Sequence, residues 1–111
     1  MKDARTDDPS RQAMAALFGA WRKAVGIEEA RTSSEIIKVA CTMGAHPGEA
    51  WQYADLRETL MTVAGRNGVI DARELGKWLS RHRDRVAGGL RLEGRADPHG
   101  HAARWRLVRA T

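Results

Sequence analysis

The hydrophobic period of this chain changes at Gly88 and Gly89, and that change constrains the fold more than any other feature. Before the glycines, Leu75, Trp78, Leu79, His82 and Val86 recur at helical spacing. After them, Leu90 and Leu92 alternate with Arg91 and Glu93, and later Trp105 and Leu107 alternate with Arg104, Arg106 and Val108. The spacing predicts a helix from Ala72 that runs past Val86 and is stopped by the glycines, followed by a two-stranded hairpin. Asp71 stands at the N-cap position and Glu74 follows three residues later, so each side chain is placed to satisfy an amide of the other's turn. Between the strands, Asp97-Pro98-His99-Gly100 has the composition of a type I turn.

Upstream, the same logic yields three more helices. Residues 1 to 7 lack periodicity and are expected to be disordered. Asp8 and Pro9 read as a cap and first helical position. Met14, Leu17, Phe18, Trp21 and Val25 then form an apolar stripe that Gly26 ends. Thr32 and Glu35 make a second capping box, opening a helix through Ile36, Ile37, Val39 and Ala40 to about Met43. Gly44, Pro47 and Gly48 mark a loop, and Leu56, Leu60 and Val63 mark a helix from about Tyr53 to Ala64. Gly65 to Gly68 break that helix, and Val69 and Ile70 link it to the Asp71 cap. Two helices joined by a brief turn and followed by a hairpin make a winged helix-turn-helix. The expected fold is therefore α+β, mainly α, with about four helices and a C-terminal wing. Residues 8 to 111 form one domain, in which 8 to 50 supply covering helices and 51 to 111 the helix-turn-helix and wing. Its expected core is Leu56, Leu60, Val63, Ile70, Leu75, Trp78, Leu79, Leu90, Leu92, Trp105 and Leu107.

Charge is distributed unevenly. Residues 1 to 50 balance seven basic against seven acidic side chains, whereas residues 71 to 111 carry ten basic against five acidic, which accounts for the net charge of +5. Nine of those ten are arginine, whose planar fork suits phosphates and guanine edges. A polyanionic partner follows, although an arginine-rich solvated surface has the same composition. On the expected recognition helix, Arg73, Lys77 and Ser80 occupy the face opposite the apolar stripe and are expected to touch base edges or nearby phosphates. Arg81, Arg83 and Arg85 flank them, and Arg91, Arg95, Arg104 and Arg106 project from the hairpin toward phosphates or a minor groove. Asp84 opposes phosphate binding on that helix unless it pairs with Lys77, Arg81 or Arg83.

Other chemistry is poorly supported. Cys41 is the single cysteine, which excludes an internal disulfide or thiolate zinc cluster, and at the end of an apolar helix it reads as a small core residue. His46 lies near it without an orienting third group. His99 and His101 at the hairpin tip are two ligands of an unclosed site, and His82 reads as a core or boundary residue. No enzyme, metal or cofactor is expected. Neither a secretory leader nor a membrane span is legible, so the cytoplasm is the expected compartment.

The run Leu75-Gly76-Lys77-Trp78-Leu79, with Gly89-Leu90 and the closing Trp105, resembles the C-terminal tail domain of phage- and plasmid-type primase, helicase and ATPase proteins. The segment Leu56 to Gly65 resembles the helix leading into it. The glycine-rich phosphate loop of the catalytic parts is absent from the chain. The resemblance implies a DNA-binding accessory or targeting domain in replication of a phage or mobile element, with duplex DNA preferred over single strands. A replication ATPase or primase would be its parent or partner. The alternative from the same features is a docking or dimerisation module that binds no nucleic acid.

Overall fold

Four helices and two small antiparallel sheets make up the α+β fold in the computed structural model, which describes residues 9–44, 51–96 and 102–110. The N-terminal tail, the Asp8 cap, the loop at Pro47 and Gly48, His46, and the Asp97 to His101 turn lie outside the described residues.

The first helix, α1 (Pro9–Ala24), buries Met14, Leu17, Phe18 and Trp21. It closes at Gly26, whose φ of 105° lets its amide donate back to the Trp21 carbonyl. Helix α2 (Ser33–Ala40) begins with the full capping box: the Glu35 amide donates to Thr32 Oγ1 (3.2 Å) and the Thr32 amide to Glu35 Oε1 (2.9 Å). It stops at Cys41, short of Met43, which instead bridges to Trp51. Ala40 takes the buried position at its end, leaving Cys41 exposed and not in the core as its apolar helix implied.

Helix α3 (Ala54–Ala64) packs against α1, α2 and α4 (Ala72–Arg81). The turn expected between α3 and α4 is in fact a complete miniature hairpin, β1 (Gly65–Arg66) and β2 (Val69–Ile70). Asn67 and Gly68 adopt φ of 51° and 81°, the left-handed pair that a two-residue hairpin turn demands. Closing this hairpin lets the Asp71 amide donate to the Ala64 carbonyl at 2.9 Å. Asp71 still caps α4 through the Arg73 and Glu74 amides (2.8 and 3.1 Å). Glu74, with its intended acceptor role already filled by Ala64, turns outward instead of completing a capping box.

Helix α4 also ends sooner than the periodicity predicts. After His82 the chain reaches φ 67° at Asp84, and the Asp84 amide donates to the Leu92 carbonyl at 2.8 Å. Val86 therefore belongs to a strand, β3 (Val86–Ala87), and points to solvent while Ala87 points inward. Gly88 and Gly89, at φ 57° and 76°, are the hairpin turn between β3 and β4 (Leu90–Arg95), not a helix stop. Strand β5 (Arg104–Arg109) pairs with β4 from Leu90↔Arg109 to Arg95↔Arg104. On its other side, Arg31 in the α1–α2 link exchanges two backbone hydrogen bonds with Trp105 (2.9 and 2.7 Å), and the Glu28 amide reaches the Leu107 carbonyl (2.7 Å).

All the expected core residues are buried except Val63, which is half-buried and cedes its place to Ala64. Gly94 faces Trp105 directly across the ladder, and a Cβ there would overlap the indole ring. Following Leu90 and Leu92 on the inward face, this glycine leaves the space that the ring fills. No helix among the described residues is long and apolar enough to cross a membrane.

Candidate nucleic-acid interface

Because Leu75, Trp78 and Leu79 turn α4 inward, its opposite face is left to Arg73, Lys77, Ser80 and Arg81, all exposed. These four form one wall of a groove of about 690 Å³. The other walls are Ser33 and Ser34 in the first turn of α2, Ala102 and Ala103 leading into β5, and Trp105 within it. Ala72 and Gly76 keep the floor low, and a Cβ on Gly76 would rest 3.5 Å from Ser33 Oγ, an ordinary contact. Three cations, three hydroxyls and no carboxylate stand among the described lining residues. First-turn amides of a helix have no intrahelical acceptor, and at α2 the Thr32–Glu35 capping box meets part of that need, with the Glu35 carboxylate offsetting the partial positive charge of the end.

The remaining arginines sit elsewhere. Arg83 places its guanidinium over the Trp105 ring, 5.6 Å from the centroid, and Arg85 is exposed just before β3. Arg91, Arg95, Arg104 and Arg106 lie on the outer face of the β4–β5 hairpin, as the alternation requires. Two of them do not reach outward as expected. Glu93 lies between them: Arg91 donates to its Oε2 at 2.7 Å, and Arg106 Nε and Nη2 approach its Oε1 at 2.9 Å. The geometry is direct, since Glu93 is opposite Arg106 in register and one pleat from Arg91. Arg104 leans to Glu35 at 3.8 Å. A second cavity on this side, about 640 Å³, contains Asp84 and Glu93 alongside Arg95, Arg104 and Arg106.

No protein-family model, curated protein or solved structure matches this chain.

Thus the ten sequence-selected residues do not share one setting. Arg73, Lys77, Ser80 and Arg81 meet in a groove with no acid among its described lining residues, Lys77 alone being approached by Glu74 from beside it, while Arg91, Arg104 and Arg106 are engaged by the protein's own carboxylates. Among the described residues Arg73, Arg81, Arg83 and Arg85 form no ion pair, and Asp84 pairs with none of the three cations proposed for it. Sequence reasoning missed Ser33 and Ser34, although the Thr32 cap placed them at the first turn. It also missed Arg66, whose guanidinium is 3.6 Å from Glu74 Oε2, the same oxygen that Lys77 Nζ approaches at 3.7 Å. His82, half-buried, stacks on Trp78 with centroids 4.0 Å apart and donates from Nδ1 to the Trp78 carbonyl. It serves the C-terminal end of α4, consistent with its boundary position.

Two carboxyls are held below their ordinary range. At Asp71 the Glu74 amide is the main cause, joined by the Arg73 amide and by the charges of Arg66 and Arg73. At Glu35 the Thr32 amide leads, helped by Arg104 and Arg31. Both therefore stay ionised as capping groups down to acidic pH, and neither is poised for proton transfer near neutrality.

Proposed function

We propose that this chain is a winged-helix-type DNA-binding domain that grips duplex DNA chiefly through phosphate electrostatics. In this reading it is an accessory or targeting module in replication of a phage or mobile element, working with a replication ATPase or primase. The order α3, α4, hairpin supports the architecture, as does the extended Arg31 segment between α1 and α2 that pairs with the hairpin's second strand. The inserted β1–β2 hairpin is a departure from the simple turn of that motif.

The observation that carries the reading is the α2–α4 groove, with Arg73, Lys77 and Arg81 and no opposing carboxylate among its described lining residues. The Arg73 and Arg81 guanidinium groups, with no ion pair among the described residues, beside the Lys77 ammonium, which Glu74 approaches at 3.7 Å, favour phosphate oxygens over neutral ligands. Fluorescence anisotropy with random duplex and single-stranded oligonucleotides at two salt concentrations tests it. Binding is expected to weaken steeply with salt, the log–log slope being about −0.9 per phosphate neutralised on duplex DNA. Salt-independent binding, or none at low salt, overturns the reading.

A further inference from the structure

We infer that Arg66 on the β1–β2 hairpin and Lys77 on α4 form one seat for a nucleic-acid phosphate, which the Glu74 carboxylate fills in the free protein. The inference rests on the nucleic-acid reading above and adds a contact element that lies outside the recognition helix and the wing.

Three observations converge on this seat. Arg66 and Lys77 come from separate elements yet approach a single oxygen, Glu74 Oε2, at 3.6 and 3.7 Å. Both cations are well exposed, at 67% and 59%, so a ligand reaches them from solvent. Their placement is firm on the Arg66 side, because the two-residue turn at Asn67 and Gly68 fixes the hairpin and Arg66 pairs with Val69 in register. Glu74 is available for this duty only because the Asp71 amide is taken by the Ala64 carbonyl, which leaves no capping bond for the carboxylate to make. Asp71, whose carboxyl also feels the Arg66 charge, accepts from the Arg73 and Glu74 amides and is occupied with capping α4.

Exposed ion pairs of this kind contribute little to stability, so exchanging the carboxylate oxygen for a phosphodiester oxygen costs the fold little. The exchange keeps both cations paired and carries the charged face of α4 past its N-terminal end onto the hairpin. Glu74 is then a resident competitor: it keeps the two cations in register and lowers the affinity for DNA.

Anisotropy on random-sequence duplex at two salt concentrations, with thermal melts of each variant, tests the seat. Arg66→Gln is expected to weaken binding and flatten the log–log salt slope by about 0.9, the loss of one phosphate contact. Arg22→Gln removes the same charge from α1 and is expected to leave the slope unchanged. Arg66→Lys should keep the slope, and Glu74→Gln should strengthen binding severalfold. A wild-type slope for Arg66→Gln, or weaker binding by a folded Glu74→Gln, overturns the seat while leaving the DNA reading intact. Failure of the wild-type protein to bind duplex overturns both.

Discussion

The α2–α4 groove and the outer face of the β4–β5 hairpin are both rich in cations, and they are electrostatically unlike. In the groove, Arg73 and Arg81 stand with three serines and form no ion pair among the described residues, and only Lys77 is approached by an acid, Glu74 at 3.7 Å. On the hairpin, Glu93 takes Arg91 and Arg106 for itself at 2.7 to 2.9 Å, and Glu35 draws Arg104. A count of positive residues treats the two surfaces as equal. What matters to a polyanion is the charge left after the protein has satisfied itself, and a carboxylate at the centre of an arginine cluster removes most of it.

The contrast can be broken most forcefully by charge reversal. Arg73, Lys77 and Arg81 changed together to Glu are expected to reduce duplex affinity on the order of 100-fold or more at moderate salt, by loss of phosphate contacts and added repulsion. The double change Arg91→Gln and Arg106→Gln should alter affinity by no more than about twofold, because those groups are already paired. Equal losses in anisotropy titrations would abolish the distinction between the surfaces.

Gly94→Ala tests whether the hairpin shapes the groove. The new Cβ overlaps the Trp105 ring, which is buried and also lines the groove, so stability is expected to fall by about 1–3 kcal/mol in denaturant melts. The groove's affinity should drop with it. A Gly94→Ala protein that melts like wild type would show that Trp105 has room to shift.

Glu93→Gln sharpens the comparison from the other side. Freed of their carboxylate, Arg91 and Arg106 should turn the hairpin into a binding face, and duplex affinity should rise by roughly three- to tenfold with a steeper salt slope. No gain would mean that the hairpin faces away from bound DNA. Smaller still is Gly76→Ala on the groove floor. The Ser33 contact is ordinary, so the substitution should stabilise α4 by up to about 1 kcal/mol through helix propensity and leave binding intact.

The smallest effect concerns acid. Asp71 and Glu35 titrate below their ordinary values of 3.8 and 4.5 in the folded protein. Their capping contribution is therefore complete above those values and is lost as pH falls through the lowered folded-state range. Melting temperature should decline across that interval, and Glu35→Gln should shrink the decline.

Much of this molecule was readable from residue order because its signals are local. The Thr32–Glu35 box, the Gly26 stop and the alternation of Leu90, Leu92, Trp105 and Leu107 each depend on neighbours within a turn or pleat. Misreadings arose where a distant partner decided. Val86 fits a helical stripe, yet the pull of Leu92 on the Asp84 amide makes it a strand residue. Asn67-Gly68 carried a hairpin signal, but with only two residues on either side the strands lacked an alternating run to announce them. Glu74 resembles a capping-box residue because sequence does not reveal that Ala64 has already satisfied Asp71. Of the site, the α4 face was legible from its helical period. The α2 wall and Arg66 depend on how helices pack, which spacing does not encode. Glu93 was partly legible, since period two places it beside Arg91, but its hold on Arg106 required the register of β5.

The backbone bonds that tie Glu28 and Arg31 to β5 have a consequence for biosynthesis. The link between the two earliest helices has its edge partner in the strand made last among the described elements. On the ribosome, α1 to α4 can gather while still missing that border, so the sheet is sealed only after Trp105 and Leu107 emerge. Shortening the chain before β5 would leave both the α1–α2 link and β4 with open hydrogen-bonding edges, the kind of intermediate that aggregates and attracts chaperones.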